Sequence, residues 1–309
     1  MKKCLLFIIV ALCMMILILW SPAFARKAPV EKNAKRTIVT TYSVLGSIVK
    51  ELVGDQAIVT VSIPDGLDPH EWEPSARDIE AINKADLVVE NGLGLEEGME
   101  KTLQAARKNG VKFFTASDYI TVRHVGSREG IPSGDPDQVV GAPDPHLWMD
   151  PIAMKSVVSA LSLALKKEFN LNVAARARDL ENRLDALNIE VANIVAHIPR
   201  GERKLVTGHE SMGYFAQRYG FKLVGVIIPS LSSQSGVSAA DLADVKRAIE
   251  VSHVKAIFTE LGTSPAVAKA IGDETGVRVV ELTTHALPKH GSYFIFMRNL
   301  ANVIARALK

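Results

Sequence analysis

The 309-residue sequence predicts an α/β protein of two lobes with mostly parallel sheets, joined by one long backbone helix. Two observations carry that expectation. Short β-branched runs alternate with amphipathic segments and turn residues in both halves of the chain, which is the pattern of βα units around a parallel sheet. Between the halves, Leu180, Leu184, Leu187, Val191 and Ile194 recur at a 4-3-4-3 spacing, one stripe of a single helix over Asn172 to His197.

In the first half, Thr37–Thr41 reads as a strand, Val44–Val53 as a helix and Ala57–Ile63 as a second strand. Leu87–Glu90 and Lys112–Thr115 follow as strands around a helix from Leu95 to Lys108, which Gly110 stops. From Asp118 to Pro145 the periodicity fails among Gly126, Gly130, Pro132, Gly134, Pro136, Gly141 and Pro143, and a long loop is expected. Order resumes at Asp150, a good N-cap, with Pro151 at the first helical position. The long helix is expected to act as a strut and to end at Pro199 and Gly201. The βα rhythm then restarts. Strands are read at Lys204–Thr207, Lys222–Ile228, Ala256–Glu260 and Arg278–Leu282, and helices at Glu210–Tyr219, Ala240–Glu250 and Pro265–Thr275. A terminal helix carries Tyr293, Phe294, Met297, Leu300, Ile304 and Leu308 on its apolar side. The expected division is 37–170 for the first lobe, 171–198 for the linking helix and 199–309 for the second lobe.

The first 25 residues read as a secretory signal: Lys2 and Lys3, an apolar run from Leu5 to Trp20, then Ala23 and Ala25 in the A-x-A pattern, with cleavage expected after Ala25. Residues 26–36 read as a flexible polar leader. The run is short for a spanning helix, and Leu12 before Cys13 argues against lipid attachment there. Two of the 36 basic residues fall in the signal, leaving 34 against 34 acidic ones. A neutral balance gives no electrostatic reason to expect nucleic acid as a partner. Both cysteines, Cys4 and Cys13, also lie in the signal, so neither a disulfide nor a thiolate ligand is expected in the folded chain. An extracytoplasmic, periplasmic location follows.

Two loops share one pattern: Asp68-Pro69-His70-Glu71-Trp72 and Asp144-Pro145-His146-Leu147-Trp148. Proline fixes its own φ and holds the residue before it extended, so each imidazole is presented from a stiffened backbone. Asp68 and Asp144 are placed to accept the free ring N–H, and the two tryptophans to wall the site from water. His209 follows the Lys204–Thr207 strand, at the start of an expected helix whose positive end would keep the ring neutral. His285 follows the last strand. All four histidines therefore sit just past strand or loop ends facing a cleft, where ligands of open α/β sheets bind. Four neutral imidazoles suit Zn2+, whereas manganese and calcium prefer more oxygen.

Four segments, DPHEWEPSARDIEAINKADLVVENGLGLE from Asp68, DPHLWMDP from Asp144, TGHESMGYFAQRYG from Thr207 and SYFIFMRNLANVIARAL from Ser292, together resemble the cluster A-I zinc and manganese solute-binding proteins of ABC importers. The resemblance runs from about Thr37 to the C-terminus. It implies two α/β lobes on a backbone helix, one metal ion held between them, and delivery to a membrane permease with its ATPase. His70, His146 and His209 match three ligand positions of that family, and a histidine at the third favours zinc. The fourth is usually an aspartate, and here His285 stands in its place. The sequence also lacks the histidine-rich loop of many zinc-specific members, with only His124 between Asp118 and Pro145, and the acidic residues expected around Ser232–Gly236.

Other readings are weighed against this one. Within the same class the ion is manganese or iron; in other classes the chain is a zinc-dependent hydrolase or a metal-binding adhesin. HEWEP and HESMG open like the zinc-protease H-E-x-x-H, but Pro74 and Gly213 stand where the second histidine belongs. Glu71 and Glu210 are expected as surface or cap residues. His124, His197 and His253 are read as non-ligands, His197 as a favourable cation at a helix C-terminus and His253 as solvated, and His290 is the spare candidate for the fourth position. No enzyme activity and a monomer are expected.

Overall fold

The structure is a computed structural model that describes residues 35–126, 129 and 140–309. The expected signal peptide, most of the leader and the middle of the 118–145 loop lie outside these residues. Four parallel strands form the first sheet, in the order β2-β1-β3-β4: β1 Arg36–Tyr42, β2 Ala57–Ile63, β3 Leu87–Glu90 and β4 Lys112–Thr115. The crossovers are α1 Ser43–Val53, α2 Ala76–Lys84 and α3 Glu100–Lys108. In the second half, β5 Lys204–Thr207 pairs in parallel with β6 Lys222–Val226, and β7 Ala256–Thr259 with β8 Arg278–Glu281. Their helices are α6 Gly213–Tyr219, α7 Ala239–Ser252 and α8 Pro265–Thr275. Helices α4 Pro151–Phe169 and α5 Ala174–Ala196 come between the halves in sequence, and α9 Tyr293–Leu308 closes the chain. Among the described residues no helix is long and apolar enough to cross a membrane.

Helix α4 begins as its cap residues require, with Asp150 accepting from the Ile152 N–H and Pro151 at the first helical position. The same carboxylate takes two hydrogen bonds from Arg218, at 2.9 and 2.6 Å, tying α4 to α6. Helix α5 is 23 residues long, about 35 Å at 1.5 Å per residue. It packs on α4, α9 and α1. Its stripe Leu180, Leu184, Leu187 and Val191 is fully buried, but Ile194 is only half-buried and Val195 takes its place. A seven-residue spacing drifts by about 20° per heptad on a straight helix, so the inward position moves one residue along by the last turn. Leu184→Ala should cost about 2–5 kcal/mol, read as a lower urea midpoint with an unchanged m-value.

Three local readings need correction. Helix α2 was not expected: it is only nine residues long and Ile82 is its only buried residue, and its clearest local signal is the capping box between Ser75 and Asp78. The helix read from Leu95 starts instead as a 3-10 turn at Glu97 and becomes α-helical at Glu100, after a turn in which Gly92, Leu93 and Gly94 all have positive φ. The helix read from Glu210 begins only at Gly213. His209 is therefore not in a helical first turn, and the expected helix-end effect on its ring does not apply.

Candidate metal centre

Each DPH loop is built on the same device. The aspartate Oδ1 accepts the backbone N–H of the histidine two residues on, at 3.0 Å from Asp68 to His70 and 2.9 Å from Asp144 to His146. Beyond that the two loops differ. Asp144 Oδ1 also accepts from the His146 ring at Nδ1, 2.8 Å away. Asp68 does not reach the His70 ring, whose Nδ1 faces Glu97 Oε1 at 3.3 Å. The ring-orienting role expected of Asp68 belongs to Glu97.

His209 lies just beyond β5 and His285 just beyond β8, and the fold brings both onto the DPH histidines. The four rings offer ligand atoms that all lie within 4.8 Å of one another, and each histidine is buried. The Nε2 atoms of His70 and His146 are 3.4 Å apart, and those of His146 and His209 3.2 Å. Four nitrogens held tetrahedrally at 2.0–2.1 Å from zinc would stand about 3.3 Å from each other. His285 Nε2 is buried and has no hydrogen-bond partner.

The proton accounting shows which ring atoms are free. Thr284 has one hydroxyl hydrogen and donates it to Glu260 Oε2 at 2.5 Å, so its oxygen accepts from His285 Nδ1 at 2.7 Å. His146 donates from Nδ1 to Asp144, and His70 from Nδ1 to Glu97. His209 Nδ1 lies 3.2 Å from Glu260 Oε1, without the alignment of a hydrogen bond. Three of the four Nδ1 atoms thus donate to an oxygen, which leaves the Nε2 lone pairs of His70, His146 and His285 toward the shared centre, while His209 Nδ1 lies beside the Glu260 carboxylate.

Glu260 is the residue that the motifs did not reveal. It stands one position past β7, fully buried, and accepts the His209 backbone N–H at 3.0 Å and the Ser211 hydroxyl at 2.7 Å as well as the Thr284 hydroxyl. A Cβ at Gly208 would collide with Thr263 and Glu260, so glycine before His209 is what lets this carboxylate close in. Burial opposes ionisation of Glu260, but His209 beside it outweighs that and holds its carboxyl well below the usual range. Burial likewise opposes the His209 imidazolium, yet Glu260 overrides it and raises that ring above the ordinary histidine value. His146 and His285 are pushed well below it, by burial first and then by His209. A carboxylate at the end of a parallel strand was a readable signal, since β7 had been expected to end there.

Trp148 walls the site as expected: its ring packs on His146 and His285 at 5.3 and 5.4 Å between centroids, and its Nε1 donates to the Thr284 carbonyl at 2.8 Å. Trp72 makes no such ring contact among the described residues and packs on the core instead. His124, His197, His253 and His290 are exposed, and none of them belongs to the cluster. Glu71 is exposed, as expected of a surface residue. Glu210 is not: it is buried with both oxygens unpartnered, and burial raises its carboxyl well above the ordinary value.

The model of the family described as zinc-uptake complex component A, periplasmic, matches residues 38–307. The high-affinity zinc uptake system protein ZnuA of Bacillus subtilis is 27% identical over 278 residues, covering 89% of this chain and 86% of that protein. The manganese-binding lipoprotein MntA of Halalkalibacterium halodurans is 26% identical, covering 82% and 81%. The iron-binding protein YfeA of Yersinia pestis is 28% identical, covering 83% and 79%. Among solved structures, the periplasmic zinc-binding protein TroA of Treponema pallidum superposes with a TM-score of 0.78 at 26% identity, covering 89% of this chain and 99% of that one. The likeness extends to the two-lobed α/β fold.

Proposed function

Because the chain belongs to the periplasmic zinc-uptake component A family, we propose that it captures zinc outside the cytoplasmic membrane through His70, His146, His209 and His285 and passes the ion to an ABC permease powered by an ATPase. The family is one of solute-binding transport proteins rather than enzymes, and relatives are named for zinc, manganese and iron. Metal binding and an extracytoplasmic place in an importer are thus common ground. The choice of zinc, the ligand set, a one-ion monomer and cleavage after Ala25 are our reading.

The observation that carries the reading is the donor set: four buried imidazoles whose free nitrogens face one centre, with no carboxylate among them. Such a set fits a tetrahedral ion of borderline softness and gives manganese none of the oxygen it prefers. Asp144, Glu260 and Glu97 stand one bond further out, where they orient the rings and offset the charge of the ion. Competitive titration against a chromophoric chelator tests it. One zinc should bind per chain, at least roughly a hundredfold more tightly than manganese. His285→Asp, which restores an oxygen ligand, should narrow that ratio. Manganese binding as tightly as zinc in the unaltered protein would sink the assignment.

The same site predicts a pH dependence. An imidazole must be neutral to bind a metal, so the ion competes with protons. His209 is the ring whose value is raised, and it protonates first as pH falls. Zinc affinity should therefore be flat above the His209 value, which lies above 6.5, and drop about tenfold per pH unit below it. The depressed His146 and His285 add their protons only at much lower pH. A profile flat down to pH 5 would contradict this order.

A further inference from the structure

Of the four groups that face a ring Nδ1, three are sealed. The side chains of Asp144 and Glu260 are 0% and 2% exposed, and Thr284 is 1% exposed. Glu97 is the exception at 40%. It lies on a cavity of about 290 Å3 that His70, Glu97, Ala142, Pro143, Leu231 and Ser232 help to line, and His70 is the only one of the four histidines on that wall. The cavity sits where three segments meet: the turn before α3, the strand-like stretch leading to His146, and the Ser232 loop of the second half. That loop also holds the His70 backbone, through a hydrogen bond from the Gln234 side chain to the His70 carbonyl.

We propose that this cavity is the portal by which a divalent cation reaches and leaves the four-histidine centre, with Glu97 as the carboxylate that receives the ion on the way. The inference rests on the metal-binding reading above. A cation arriving from solvent meets an anionic oxygen 3.3 Å from the His70 ring before it meets any imidazole nitrogen. A carboxylate can replace part of the ion's water shell there, which lowers the barrier to the dry interior. The acceptors of the other three rings are themselves buried. Glu97 acts on the path and is not one of the four ligands. Its charge therefore sets the association rate, in addition to what its contact with the His70 ring contributes to the equilibrium.

Stopped-flow mixing of the purified protein with zinc ion buffered by a chromophoric chelator gives the association rate, and excess chelator gives the dissociation rate. Glu97→Gln keeps an amide oxygen for the His70 ring and removes the charge. It should slow association about tenfold and weaken the dependence of association on salt. Ala142→Phe narrows the mouth without altering charge or the His70 contact and should slow both rates, with Kd within about threefold of the unaltered protein. Faster dissociation at an unchanged association rate in Glu97→Gln would make Glu97 a mere support of His70 and overturn the portal. So would wild-type rates in both variants. A protein that binds no zinc at equilibrium would instead overturn the metal reading and the portal with it, so the two failures are told apart by the unaltered protein alone.

Discussion

His285→Ala should weaken zinc binding by roughly two to three orders of magnitude, while His290→Ala leaves it unchanged. The magnitude follows from sharing the roughly 10–16 kcal/mol of a structural zinc site among four ligands, which assigns about 3 kcal/mol to each. The geometry supplies the direction. His285 Nε2 is buried without a partner, and the Thr284 hydroxyl and the Trp148 ring hold the imidazole from its other sides. His290 is exposed and lies outside the cluster, with its backbone at φ 56°. The check is the chelator titration, run beside a thermal melt with and without zinc. A bound ion at a hundred times its Kd raises stability by about 2.7 kcal/mol, and the alanine variant should lose most of that gain. Equal affinity in His285→Ala and the unaltered protein would reduce the centre to three histidines.

Glu260→Ala should be among the most disruptive single changes in the second half, by about 3–5 kcal/mol in urea denaturation, with zinc affinity lower by roughly 10- to 100-fold in whatever folds. Removing the carboxylate strands the His209 backbone N–H, the Ser211 hydroxyl and the Thr284 hydroxyl inside the protein, and leaves the His209 ring without its anion. Glu260→Gln retains one acceptor oxygen and should be milder in stability. It should also move the acid loss of zinc affinity to lower pH, because His209 is no longer raised. The linkage has a definite sign. A carboxyl depressed on folding contributes stability that is fully present above its unfolded value near 4.5 and is lost as pH falls through the folded one. The unaltered protein should therefore keep this contribution through the mildly acidic range. An alanine variant as stable as the parent would show that Glu260 is only tolerated where it sits.

Much of the fold was legible because its signals are local. Strands β1 to β8 announce themselves as β-branched runs, Asp150-Pro151 as a helix start, and Leu180 to Val191 as one buried stripe. What escaped was carried by few apolar atoms or by distant neighbours. Helix α2 is nine residues long and buries only Ile82, so little of it is anchored in the core. Glu210 looked like a surface residue because nothing adjacent in sequence covers it; its burial comes from the packing of other segments around it.

The sequence by itself singled out His70, His146, His209 and His285 as candidates, since proline-stiffened turns and strand ends are local devices that present a side chain wherever the chain later goes, and the fold draws the four rings together. It also places both cysteines, Cys4 and Cys13, in the expected signal segment. Only the tertiary structure decided which oxygen serves which ring. Asp68 and Asp144 occupy the same place in the same motif, yet one holds a backbone N–H alone and the other an imidazole as well. Glu260, which secures two of the four histidine loops, lies 51 residues from one histidine it supports and reaches the other through Thr284. A hydrogen bond needs heavy atoms about 3 Å apart, and residues that distant in sequence are brought so close only by the packing of the strands and helices between them.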